Sequence, residues 1–208
     1  MMFRISRSPL TAALLAFITI IFIFEWLSGA LWDSEKMVQM GAIVPGMIAR
    51  GEYWRIFAAM FLHGSFLHWA ANSWTLYQLG SLYESMFGTA RFALIYFLTG
   101  AIASVASSLY VQGASVGASG AILGVLGAFI FSIKRSPQWR HEPWTRGLIS
   151  QLIFWAVLNI AIGFSTTYID NVAHIAGLVS GLLLGLIPHR VPPPPPNRGV
   201  IDVMPYEG

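Results

Sequence analysis

FALIYFLTGAIASVASSLYVQGASVGASGAILGVLGAFIFSI, residues 92–133, runs without one acidic or basic side chain. A helix crosses the hydrocarbon core of a bilayer with about 20 mostly apolar residues, so this stretch holds twice what one crossing needs. Its centre, from Gln112 through Gly113, Ser115 and Gly117 to Ser119-Gly120, is a Gly/Ser cluster, the composition of a turn between helices. The spacing predicts two spans, one from Arg91 to near Val111 and the next starting near Gly117.

The same pattern extends in both directions. Of the 208 residues, 56% are hydrophobic and only 10% charged, whereas a water-soluble domain carries about 25% charged residues. A polytopic, all-α membrane protein follows. Arg4 and Arg7 precede an apolar run over 10–24 that continues past Glu25-Trp26 to Trp32. This has the outline of a signal peptide, with Ser28-Gly29-Ala30 as a weak cleavage site, but its length and aromatic end fit a retained first helix. Residues 33–55 form the longest polar stretch and predict an extramembrane loop. A second span is expected over 56–83, a fifth over 147–164 and a sixth over 171–188, with a polar loop at 134–146. The expected organisation is a short cytoplasmic N-terminus (1–9), a six-helix domain (10–190) and a proline-rich tail (191–208) with no means of packing.

Net charge is +3, but the basic residues lie at the ends of apolar segments and not on one soluble face, which argues against nucleic acid as a partner. With the N-terminus inside, Arg4, Arg7, Arg91, Lys134, Arg135, Arg140, Arg146, Arg190 and Arg198 fall on the inner side, against Lys36, Arg50 and Arg55 outside. This bias puts both termini in the cytoplasm. The chain has no cysteine, which excludes thiol nucleophiles, disulfides and Cys-ligated metals.

Polar groups inside spans are costly and point to function. Ser119 falls in the first turn of the fourth span, flanked by Gly117 and Gly120. Amides at a helix N-terminus have no intrahelical partner, so a hydroxyl there can attack a carbonyl whose oxyanion those amides hold. His174 shares one face of the sixth span with Gly177, Gly181 and Gly185, and the fourth carries Gly120, Gly124 and Gly127. If these small-residue stripes meet, His174 can serve Ser119 as general base. His68 and Asn72, an i, i+4 pair on the second span, offer two more donors for an oxyanion. His63 is roughly 140° around a continuous helix from His68, and no H-E-x-x-H occurs, so neither a metal nor another cofactor is expected. Asp170 either caps the sixth helix or orients His174.

Taken together, the chain resembles the rhomboid family of intramembrane serine proteases. The matching motifs are Tyr53-Trp54-Arg55, His63-x4-His68-x3-Asn72, Glu84-x3-Gly88, Gly117-Ala118-Ser119-Gly120 and Ala173-His174-x2-Gly177-x3-Gly181. They cover roughly residues 50–185, in family order and spacing. The resemblance implies a six-helix bundle, a Ser119–His174 dyad, and an oxyanion held by His68, Asn72 and the Ser119 amide. Trp54 and Arg55 would anchor a first loop lying partly in the outer leaflet, with Arg55 on a lipid phosphate or on Glu52. Glu84 would be a structural cap and His63 a structural residue at the rim. Leu123 stands where the family often has an aromatic on the histidine ring.

The implied substrates are transmembrane segments of other proteins cut near the outer face, in a lipid setting, and the lean chain fits a prokaryotic plasma membrane. A catalytically dead, client-binding relative is the alternative; such relatives usually lack the serine or the histidine. A histidine-lined channel would need polar groups through the full depth, whereas these gather toward one side. Oligomeric state is not legible.

Overall fold

A computed structural model describes residues 8–110, 113–137, 139–166 and 169–188; the proline-rich tail, Arg4, Arg7, Arg190, Arg198 and the end of the third span at Val111 lie outside them. The described residues form a helical bundle in which one isolated antiparallel bridge, Ile43 to Ser115, is the only extended pairing.

Helix α1 spans Pro9–Ser28 and ends on Gly29 at φ 79°, the left-handed cap that a glycine supplies without strain. Its inward residues Thr11, Leu14, Ile18, Phe22 and Glu25 recur every three or four positions, one stripe of an otherwise apolar helix. The donors at its start are met by Glu84, which accepts from Leu10 N, Thr11 N and Thr11 Oγ1. The same carboxylate accepts from Thr89 Oγ1. Glu84 thus caps a different helix from its own.

The expected extramembrane loop is built structure. After a 3-10 turn at Ala30–Trp32, α2 (Ser34–Met40) is capped by Asp33 at one end and Gly41 at the other. A short α3 (Arg55–Ala58) and a 3-10 turn (Ala59–Phe61) follow. Arg55 is almost fully buried. It forks onto Glu52 and donates to the carbonyls of Val38 and Ala42. The alternative of Arg55 on a lipid phosphate is therefore corrected: its guanidinium is consumed in folding the loop. Trp54 is half exposed under the Arg55 guanidinium, 4.7 Å from the ring centroid.

The second expected span also differs. It does not begin at 56: the chain breaks at residues 62–65, and α4 (Phe66–Thr75) starts where the Ser65 hydroxyl accepts from His68 N. A π-helical segment at Leu76–Gly80 then leads into α5, Ser81–Phe87. Helix α6 (Thr89–Tyr110) is followed by α7 (Ser119–Arg135), α8 (Thr145–Phe164) and α9 (Asn171–Gly185). Among the described residues, α1, α6 and α8 are long and apolar enough to cross a bilayer; α9 is apolar but shorter. Helix α7, at 17 residues, is about 25 Å long and lies at the centre of the bundle with most of its side chains buried. The main core joins Leu14 and Ile18 of α1 to Tyr83, Phe92, Tyr96 and Phe129.

Candidate active site

Helix α7 packs against α9 through backbone. A β-carbon on Gly177 would fall well inside van der Waals contact of the Gly120 carbonyl, and one on Gly181 would do the same to Gly124. At Gly185 it would lie 2.6 Å from the Ala128 carbonyl oxygen. The two stripes meet, as the spacing implied, with the glycines of α9 set against the backbone of Gly120, Gly124 and Ala128. A β-carbon on Gly120 would meet Ala103 of α6 and, less closely, the Ala173 carbonyl of α9; one on Gly124 would meet Thr99 of α6, and one on Gly127 the α9 backbone. It is the carbonyls of α7 that the glycines of α9 accommodate. So small a separation can exist only where side chains are absent.

At the end of this seam, His174 Nε2 lies 2.8 Å from Ser119 Oγ. Ser119 is the first residue of α7 and partly exposed, while His174 is 6% exposed. The serine hydroxyl sits beside first-turn amides that have no intrahelical acceptor. His174 is held through its backbone, its amide donating to Asp170 O. Asp170 caps α9 by accepting from Ala173 N. Its carboxylate is not bonded to the imidazole, whose Nδ1 is buried without a partner.

The segment preceding Ser119 is fixed from outside. Ser115 and Ile43 exchange both backbone hydrogen bonds, at 2.9 and 2.8 Å, and Gly117 N donates to Ala59 O at 2.8 Å. Gly117 has φ 126°, a region that side-chain-bearing residues rarely enter. A β-carbon there would also lie 2.6 Å from the His68 ring and 3.6 Å from Asn72 Nδ2. Two features of Gly117, its backbone angle and its missing side chain, thereby let His68 and Asn72 sit against the chain two residues before Ser119. Asn72 is 6% exposed and its Nδ2 is buried without an acceptor. A donor left unpaired in such a position carries a desolvation cost, and a bound carbonyl oxygen would remove it.

Two sequence expectations are changed here. His63 is not a rim residue but fully buried, and its ring meets the His68 ring edge-on with centroids 5.2 Å apart. The break at 62–65 abolishes the 140° offset of a continuous helix. Glu25, to which sequence reasoning assigned no role, is fully buried and accepts from His63 N at 2.8 Å. A lone acid in an apolar run was the signal for it. Leu123 lies in the main core.

The bundle thus brings a serine and a histidine into contact where two helices, α7 and α9, begin. A family model for the rhomboid domain matches residues 50–191. The rhomboid protease GluP of Bacillus subtilis (strain 168) is 32% identical over 179 residues, 86% of this chain and 34% of the relative. RHOMBOID-like protein 1 of Arabidopsis thaliana is 36% identical over 157 residues, 74% of this chain and 40% of that protein. YdcA of the same Bacillus strain is 30% identical over 188 residues, 86% of this chain and 88% of YdcA. The chain thus spans between about a third and a half of several relatives and nearly all of another. It belongs to the rhomboid family, and it is a multi-pass membrane protein.

Proposed function

We propose that the chain is a rhomboid-type intramembrane serine endopeptidase that cuts transmembrane segments of other proteins near the outer membrane face. The observation that carries this reading is the 2.8 Å contact between Ser119 Oγ and His174 Nε2. Ser119 attacks the scissile carbonyl while His174 Nε2 takes its proton. The developing oxyanion accepts from the Ser119 amide, Asn72 Nδ2 and His68. His174 then protonates the leaving amine, and water, activated by the same imidazole, releases the acyl group from Ser119. Gly117 leaves room for His68 and Asn72 beside the chain leading to Ser119, Gly120 lets α7 pack closely on α6 and α9, and Trp54 and Arg55 brace the first loop, which is bridged to Ser115 through Ile43. A substrate helix hides its peptide bonds, so it must unwind before its carbonyl reaches Ser119.

In this reading the chain crosses the membrane six times. Spans one, three and five are α1, α6 and α8; the second is the α4–α5 segment with its π-helical middle, the fourth α7 and the sixth α9. Both termini lie in the cytoplasm of a prokaryotic cell, with the site toward the outside of its plasma membrane. Co-expression with a single-span model substrate tests the proposal. Cleavage by the wild type that disappears in Ser119→Ala and in His174→Ala supports it. Substrate that binds but stays intact with the wild type supports the client-binding alternative instead.

A further inference from the structure

Asp170 sits at a junction that the peptidase reading leaves without a purpose. Its Oδ1 accepts from Ala173 N at 2.9 Å, and its backbone carbonyl accepts the amide of His174 at 3.1 Å. Those two bonds define the first turn of α9. Its Oδ2 accepts two hydroxyls from elsewhere in the chain, Ser107 Oγ at 2.5 Å and Ser115 Oγ at 2.6 Å. Ser107, 1% exposed, belongs to the last turns of α6; Ser115 lies four residues before Ser119, in the segment bridged to Ile43. One carboxylate therefore ties the helix that carries the base to the segment that carries the nucleophile, and both to α6.

We propose that Asp170 is a positioning residue for the Ser119–His174 pair: by joining α9, α6 and the segment 113–118, it sets the separation of hydroxyl and imidazole. The inference rests on the peptidase reading. An acceptor-only group suits the place, because all three of its partners arrive as donors, one N–H and two O–H. A cap alone would need only the Ala173 amide. A third member of a triad would need a bond to His174 Nδ1, which has none. The device works by geometry, and reacting groups displaced by about 1 Å lose on the order of 10²-fold in rate. Asparagine can reproduce that geometry: its oxygen caps Ala173, and its two amide hydrogens can donate to the serine oxygens, which then accept.

The test uses the full chain in lipid nanodiscs with a single-span substrate. Asp170→Ala should lower kcat on the order of 10- to 100-fold with KM within about twofold, and Asp170→Asn should recover most of that loss. Ser115→Ala should lower kcat alone, and the Asp170→Ala/Ser115→Ala pair should be no slower than Asp170→Ala, because both remove one shared contact. Amide hydrogen exchange over residues 113–118 should accelerate in Asp170→Ala whether or not the chain cleaves anything. Wild-type kcat in Asp170→Ala, multiplicative losses in the pair, or unchanged exchange would overturn the proposal. So would an asparagine variant as slow as the alanine one, since charge and not geometry would then matter. If Asp170→Ala does not fold, Ser115→Ala and Asp170→Asn decide by the same criteria. Cleavage that persists in Ser119→Ala would refute the peptidase reading and leave the exchange result to judge the junction.

Discussion

Gly177 meets the carbonyl of Gly120 backbone to backbone, leaving no room for a methyl group between α9 and α7 beside Ser119 and His174. Gly177→Ala must push the two helices apart at the point where their separation sets the 2.8 Å contact. Overpacking of this kind costs about 1–3 kcal/mol, and the shift in the pair should lower kcat on the order of 10²-fold. Thermal unfolding and turnover of Gly177→Ala measure both. Gly147→Ala is the control, since nothing lies within 4 Å of a β-carbon there, and it should leave both values at wild type.

Asn72 has the opposite profile. Its Nδ2 is buried without a partner in the free protein, so truncation removes little that stabilises the fold. Loss of one oxyanion donor typically costs about 10²–10³ in kcat. Asn72→Ala is expected to show that loss with unchanged KM and a melting temperature equal to or above wild type. A fall in stability with kcat preserved would assign the residue to packing.

Glu84 is a test of stability far from the chemistry. Four donors converge on its carboxylate at 2.7–3.0 Å, and it is 2% exposed. Glu84→Ala strands the Leu10 and Thr11 amides and two hydroxyls, and buried donors left unpaired cost about 1–3 kcal/mol each where water cannot reach them. Denaturation should show a loss of about 3 kcal/mol or more, with Glu84→Gln intermediate because it still offers one oxygen.

Arg55 should not tolerate lysine. Its Nε and Nη2 meet Glu52 Oε2 at 2.8 and 2.7 Å while Nη1 serves the carbonyls of Val38 and Ala42. An ammonium group cannot span these acceptors as a planar fork does. Arg55→Lys is expected to destabilise by about 2 kcal/mol and to expose residues 33–54 to proteolysis, nearly as much as Arg55→Ala.

The long apolar helices are legible because local rules govern them, whereas the Ser119–His174 contact spans 55 residues and is legible only through the motifs around each partner. The charge-free stretch over 92–133 is divided where the Gly/Ser cluster occurs, and the glycines after His174 announce a close helix neighbour. What sequence spacing could not convey is how those glycines are used. Gly120 and Gly124 make room for α6, while the α7 carbonyls face α9. The second span, expected over 56–83 because residues 56–65 are largely apolar, starts at Phe66 and continues to Phe87. A tertiary bond and a local cap decide otherwise there: Glu25 accepts the His63 amide, and Ser65 caps α4. The same break moves His63 beside His68. Asp170 was legible as a cap, but its bonds to Ser107 and Ser115 span 63 and 55 residues, beyond any local pattern.

Reaction of the purified chain with a fluorophosphonate, followed by mass spectrometry of the modified peptide, probes the activated hydroxyl without needing a substrate. The account predicts one phosphonylated residue, Ser119, with the adduct lost in Ser119→Ala and formed far more slowly in His174→Ala. An adduct on another serine, or equal labelling rates with and without His174, would contradict it.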